Sequence, residues 1–359
     1  MTKVSGTISQ LRVSGSIGIG GSTTIDGSPS LLSAIVVLDT RIDLAWTNGS
    51  TNEDGISIER STDGITYAEI DTVASGVAVY SDTTCVANTL YYYRVRAYLG
   101  TLFSEYSNVD SDTTLTSQYQ TVYDAFTTKP AAAIATAQNT MIKTLVDYGI
   151  WSKMDVFYLF AQELNTDSEA LKNWVNPGVN DASLVYAPLF TSLEGITTAY
   201  SGAKYINTNY NPATEGVKYS QDDAHVAIYL RQRLTVSRED VGIIGAHDVY
   251  IQCERSTPNA AFAINDNTLD SGANSNDIGL FCANRSASNS KLLYHNGVIL
   301  LTKTTASTGL PNADMYVGKA NGSAEVNDEQ VSMMSAGGSL SEGEQLNYFS
   351  AIETYLASI

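Results

Sequence analysis

Tyr205 and Tyr210 stand among Asn207, Asn209 and Asn211, with Tyr219 close behind, a mixture of rings and amides suited to holding a sugar. An aromatic ring stacks on the apolar face of a pyranose while side-chain amides read its hydroxyls. Tyr205, Asn207, Asn209 and Tyr210 are therefore the candidate glycan-binding residues. Tyrosines also fill β-sandwich cores and subunit interfaces, and the chain has 22 of them, so the same residues serve packing equally well.

A second candidate is the string NDNTLDSGANSND over 265–277. Asp266, Asp270 and Asp277, with several amide oxygens between them, offer the hard oxygen ligands that calcium takes. The glycine falls one position late for an EF-hand loop. Turn-forming Asn and Asp account for the same string, so calcium enters as a candidate ligand and no other cofactor is expected.

No residue set reads as catalytic. Asp222-Asp223 and Glu239-Asp240 are adjacent pairs, and neighbours on a strand point to opposite faces. His225, His247 and His295 have no serine or cysteine in a nucleophile elbow beside them, and GxSxG is absent. Cys85, Cys253 and Cys282 form an odd set without zinc spacing. They read as free buried thiols, and a Cys253–Cys282 bond requires adjoining strands.

The chain has 20 basic and 38 acidic side chains, a net charge of −18, so its field repels phosphate backbones and anionic membranes and nucleic acid is not an expected partner. The opening MTKVSGTISQLRVSGSIGIGG lacks the apolar core of an export signal. No run approaches the roughly 18 apolar residues of a membrane span.

The elements that position these residues are mostly strands. In TLYYYRVRAY (89–98), Tyr91, Tyr93, Val95 and Ala97 can face one core while Tyr92, Arg94, Arg96 and Tyr98 face outward. RIDLAWT (41–47) puts Ile42, Leu44 and Trp46 on one face, and GISIERSTDGITYAEI (55–70) reads as two strands joined at Asp63-Gly64. From Pro29 to Asp112 these pieces resemble a fibronectin type III domain, with Trp46 on strand B, a C to C′ hairpin and Tyr91 as the corner tyrosine of strand F. The resemblance implies display or spacing more than chemistry.

Before it, residues 4–26 alternate small polar residues with Val4, Ile8, Leu11, Val13, Ile17 and Ile19, which reads as an attachment arm that becomes ordered by adding a strand to a neighbour or by trimerising as a thin β-stalk, a disordered leader being the alternative. After it, the period lengthens. Tyr119, Val122, Tyr123 and Phe126 are at helical spacing, Pro130 suits a first helical position, and Ile134, Met141, Ile142, Leu145 and Tyr148 make a stripe that stops at Gly149. Its expected partner is the β-domain beginning with Val156 to Phe160.

Residues 150–359 read as many short strands: Ala182–Val185, Ala203–Ile206, His225–Leu230, Val241–Ile244, Val249–Cys253, Ala260–Ile264, Ile278–Ala283, Lys291–His295, Val298–Thr302 and Met315–Gly318. Ser341 and Glu344 form a capping box opening a helix through Tyr355, with Leu346, Phe349, Ile352 and Leu356 expected along its buried face. AKYINTNY (203–210), FCANRS (281–286), YHNGV (294–298), YVGKA (316–320) and the closing 337–356 resemble a concanavalin A-like, laminin G-type jelly roll of phage virion proteins. Retaining glucanases of that fold carry two glutamates flanking an aspartate on one strand, with carboxyls about 5.5 Å apart. The nearest string, Glu69-Ile70-Asp71, lacks the second glutamate and lies in the fibronectin-like region.

The expected fold is mainly β: an N-terminal β-arm (1–28), a fibronectin III-like sandwich (29–113), a helical connector (114–149) and a concanavalin A-like jelly roll with a C-terminal helix (150–359). These resemblances imply a non-enzymatic bacteriophage virion protein, a capsid decoration or a head or tail fibre component, assembled in the bacterial cytoplasm. Its expected partners are other virion proteins bound through the arm, further copies of itself and a host surface glycan, without membrane insertion. The alternative is a secreted carbohydrate-active enzyme or lectin with a fibronectin spacer.

Overall fold

A computed structural model describes residues 24–233, 239–256, 259–324 and 326–359, and the chain divides after Thr114 into two units. All but the last five residues of the expected arm lie outside the described residues.

The first unit has strands β1 (Ser30–Leu38), β2 (Arg41–Thr47), β3 (Gly55–Ser61), β4 (Ala68–Ala74), β5 (Val79–Asp82), β6 (Leu90–Leu99), β7 (Leu102–Phe103) and β8 (Asp110–Thr113). One sheet runs β1-β2-β5, the other β4-β3-β6-β7 with β8 also on β6, and both are antiparallel. This is a fibronectin III-like sandwich. Alternation places Ile42, Leu44 and Trp46 of β2, Ile56 and Ile58 of β3, and Tyr91, Tyr93, Val95 and Ala97 of β6 in one core. Tyr91 is the corner residue, its phenolic oxygen accepting the Val86 N–H at 3.0 Å. Between β3 and β4 the Asp63-Gly64 turn is longer than a two-residue hairpin. Gly64 takes φ +70°, and hydrogen bonds from Thr66 N–H, the Ser61 hydroxyl and Ile65 N–H hold the Asp63 carboxyl far below the usual range.

Strand β1 is an edge, and side chains close it. Leu32, Ala34 and Val36 N–H donate to Asn108 Oδ1, Asp110 Oδ2 and Asp112 Oδ2 at 2.9, 2.8 and 2.7 Å. A template for strand addition is thereby blunted.

The second unit begins with α1 (Ser117–Ala125) and α2 (Ala132–Asp147), followed by β9 (Met154–Leu159), β10 (Ser183–Val185), β11 (Leu189–Thr191), β12 (Gly195–Thr197), β13 (Tyr205–Asn207) and the single turn α3 (Pro212–Glu215). Then come β14 (Ala224–Arg233), β15 (Val241–Ile243), β16 (Asp248–Ser256), β17 (Asn259–Asp266), β18 (Asp270–Ala273), β19 (Gly279–Ala287), β20 (Ser290–His295), β21 (Val298–Lys303), β22 (Tyr316–Val317), β23 (Ala320–Asn321), β24 (Glu329–Gly337) and α4 (Glu342–Ser358). Two eight-stranded sheets result. The first follows β10-β13-β22-β15-β16-β17-β18 with β23 beside β15, and the second follows β11-β12-β24-β14-β19-β20-β21 with β9 beside β24. Ile206, Ile251 and Phe262 from one and Val226, Phe281 and Met334 from the other meet in a shared core.

Asn296-Gly297 turns β20 into β21 with φ +52° and +77°, the positive pair that a two-residue hairpin requires. The capping box also forms, Ser341 N–H donating to Glu344 Oε2 at 2.6 Å and Glu344 N–H to Ser341 Oγ at 3.4 Å. The buried face of α4 differs from the expected stripe, however. Gln345, Tyr348, Ile352 and Tyr355 turn inward and Leu346 is exposed, because Tyr348 and Tyr355 bury large rings and reach Ser335 Oγ and the Ala161 carbonyl with their hydroxyls, each at 2.7 Å. Helix α2 starts two residues after Pro130, with Ala131 at the N-cap, and Gly149 ends it at φ +73°. Its stripe loses Tyr148 to solvent, and the helix packs chiefly on α4. Among the described residues no helix is long and apolar enough to cross a membrane.

Candidate functional site

Strand alternation separates the four proposed sugar-binding residues. On β13, Ile206 enters the core, so Tyr205 and Asn207 occupy the outer face of their sheet. Opposite Asn207, in the next strand, stands Tyr316. The Tyr205 and Tyr316 ring centroids are 4.7 Å apart with planes inclined at 35°, and both rings are partly exposed. Asn207 Nδ2 donates to Asp314 Oδ2 at 3.2 Å, and its Oδ1 accepts the Asn209 N–H at 2.8 Å. Among the described residues one N–H and one lone pair of that amide take no other partner. Lys319 extends its ammonium over Tyr205, 5.1 Å from the ring centroid, and Tyr186 is exposed beside the strand pair.

Tyr210 does not join this face. It is fully buried and donates to Asp155 Oδ2 at 3.0 Å, so it has no ring surface to offer a sugar. Asp155 is a bracket for the segment after α3, accepting N–H groups from Val217, Lys218 and Tyr219 as well. Asn209, at φ +53°, spends its amide on the Asp181 carbonyl at 2.7 Å and acts as a turn former. Tyr219 is buried too.

The three aspartates proposed for calcium do not converge on one point. Asp266 is fully buried, with Arg285 Nη2 and Lys291 Nζ each 2.7 Å from its Oδ2, and Lys291 Nζ is also 2.8 Å from Asp270 Oδ2. Burial works against ionisation of Asp270, yet the Lys291 and Thr305 hydrogen bonds hold its carboxyl below the usual range. Asp277 lies elsewhere, 3.3 Å from Arg233 Nε. Each carboxylate already has a protein cation, and among the described residues no three His, Cys, Asp or Glu side chains converge as metal ligands.

Sequence reasoning missed one acid pair. Asp240, at the entry to β15, and Glu329, at the start of β24, reach Arg233 Nη2 from the two sheets, at 2.8 and 3.8 Å. Burial and the neighbouring Asp240 carboxylate push Glu329 well above the usual carboxylate range. Asp240 also accepts Asn327 Nδ2 at 2.6 Å and the Cys253 N–H at 2.5 Å. Both carboxyls are fully buried, so no substrate reaches them in this conformation. Position 329 is invisible in the sequence because its partners are remote along the chain.

The other candidate groups are structural. His225 is fully buried, with Nδ1 2.6 Å from the Gly338 carbonyl and Nε2 3.1 Å from Ser335 Oγ, and burial lowers its pKa to about 4. His247 contacts Thr308 Oγ1 at 3.0 Å, and His295 stacks on Phe281. Asp222 and Asp223 accept from Ser307 Oγ and Ser339 N–H, and do not act together. Cys85, Cys253 and Cys282 are free and buried. A groove between α2 and α4 is lined by Ala137, Thr140, Met141, Ala351, Tyr355 and neighbouring small residues, without a carboxylate or a base.

No protein-family model matches the chain, and no curated protein matches it. Among solved structures it is similar to domains of titin, with 17% identity over 25% of this chain and a TM-score of 0.23; the match spans about a third of that chain, 32%. An Fn3-like protein from Clostridium thermocellum shows 26% identity over 24% of this chain and 92% of its own, TM-score 0.23. A β-1,2-glucanase from Parabacteroides distasonis shows 19% identity over 37% of this chain and 17% of its own, TM-score 0.23. The fibronectin-like character of the first unit rests on its own strand order and corner tyrosine.

Proposed function

We propose that this chain is a non-enzymatic surface protein of a bacteriophage virion, in which the two-sheet unit is a concanavalin A-like jelly roll that presents Tyr205, Tyr316 and Asn207 to a host glycan. The observation that carries this reading is the contrast between the two kinds of polar group in that unit. Carboxylates that come together, at Asp266–Asp270 and at Asp240–Glu329, are neutralised by Lys291, Arg285 and Arg233 inside the protein. The rings of Tyr205 and Tyr316 instead stand together on the outer side of their sheet, partly exposed, with an amide beside them. An aromatic shelf with spare hydrogen-bonding capacity binds weakly per copy, and many copies on one particle compensate by multivalency. The fibronectin-like unit then acts as a spacer, and residues 1–28 attach the chain to other virion proteins. Mass spectrometry of purified particles tests the assignment: the chain is expected among their structural components, and particles consistently without it overturn the proposal.

A further inference from the structure

Lys319 sits two residues beyond β22 with its ammonium against the Tyr205 ring, and among the described residues it makes no ion pair and no hydrogen bond. Most described cations are paired in this chain, which has nearly twice as many acids as bases, although Lys204 and Lys218 likewise make no ion pair and no side-chain hydrogen bond among the described residues. Lys153, Lys172, Lys291 and Lys303 each have a carboxylate within 4.0 Å, as do Arg41, Arg60, Arg94, Arg96, Arg233 and Arg285. Partial burial lowers the Lys319 pKa, and among the described residues no carboxylate acts on it in the other direction. The nearest acid along the chain, Asp314, is occupied at its side chain by Asn207 and at its carbonyl by Asn321.

An ammonium held at the rim of an aromatic shelf, partly desolvated and uncompensated, is a site prepared for an anion. We infer that the face bearing Tyr205 and Tyr316 takes an acidic saccharide, whose apolar surface packs against the exposed parts of the tyrosine pair, whose carboxylate or sulfate meets Lys319 and whose hydroxyl meets the remaining N–H or lone pair of Asn207. This rests on the glycan reading above and narrows its ligand class. A neutral sugar leaves the ammonium unsatisfied, whereas an anionic one gains a charge-assisted hydrogen bond. The contact also overcomes, at short range, the repulsion that a net charge of −18 imposes on anions at a distance.

The test is an array of uronate-, sialate- and sulfate-bearing oligosaccharides beside their carboxyl-reduced or desulfated counterparts, probed with the full chain and with Lys319→Gln, Lys319→Arg and Tyr205→Ala. The acidic members are expected to bind about tenfold more tightly than their neutral counterparts. Lys319→Gln brings them down to the neutral level, Lys319→Arg keeps the preference, and the carboxyl-reduced and desulfated arms identify which anion is read. Unchanged thermal unfolding of the partly exposed Lys319 variants excludes a folding artefact. Equal binding of acidic and neutral members, unaffected by Lys319→Gln but abolished by Tyr205→Ala, overturns the inference and leaves the glycan reading standing. Binding of no member by the full chain, or binding indifferent to Tyr205→Ala, overturns both.

Discussion

The ammonium of Lys291 lies 2.7 Å from Asp266 Oδ2 and 2.8 Å from Asp270 Oδ2, so a lysine occupies the place between two carboxylates that a calcium ion would need. Lys291 and Asp266 are both fully buried, and Arg285 completes the cluster. Removing one member strands a buried charge. Lys291→Ala is expected to destabilise the second unit by about 3–5 kcal/mol, read as a lower denaturant midpoint at unchanged slope. Excess calcium should leave the wild-type melting temperature where it is. An upward shift of that temperature with calcium would show that the carboxylates exchange lysine for metal.

Stability should depend on pH through His225. The ring is neutral in the fold, because the Gly338 carbonyl requires a proton on Nδ1 and leaves Nε2 to accept from Ser335. Burial lowers its pKa to about 4 from 6.5, so the unfolded chain takes up a proton at a higher pH than the folded one. The contribution is complete above pH 6.5 and is lost as pH falls toward 4, by about 3 kcal/mol across that window. His225→Gln lowers stability at neutral pH but flattens this part of the profile. Parallel profiles for the two proteins in urea melts contradict the assignment.

Gly297 tests the hairpin that carries β20 into β21. At φ +77° an L side chain is strained, and a Cβ there would lie 2.9 Å from Leu346 Cα in α4. Gly297→Ala is expected to cost about 1–3 kcal/mol in thermal or denaturant unfolding. Little or no loss would mean that the turn and the helix relax together.

Much of the fold was legible where one physical signal dominated. Alternation on β6 named every inward residue from Tyr91 to Ala97, and all ten strands expected after residue 181 exist, with ends adjusted by a few residues. Turn chemistry located Asn296-Gly297, and the capping box located α4. Strand β24 was missed although it lies at the centre of a sheet, between β12 and β14. EQVSMMSAG is buried along its whole length, so it shows no alternation, and its Ser, Gln and Met residues have weak strand preference. The site was half legible: composition found Tyr205 and Asn207, but the same signal admitted Tyr210, which the core claimed. Tyr316 of β22 and Lys319 just after it lie more than a hundred residues further along the chain, and only the pairing of β13 with β22 brings them to Tyr205.

The proposed adhesion through Tyr205 and Tyr316 and the alternative of bond cleavage differ in what they leave in solution. The most direct measurement incubates the protein with immobilised host envelope polysaccharide and follows retention and released reducing ends together. Retention without release, lost in Tyr205→Ala, is the predicted result. A steady rise in reducing ends that Asp240→Asn or Glu329→Gln abolishes would contradict it, because the buried acid pair would then be an active site.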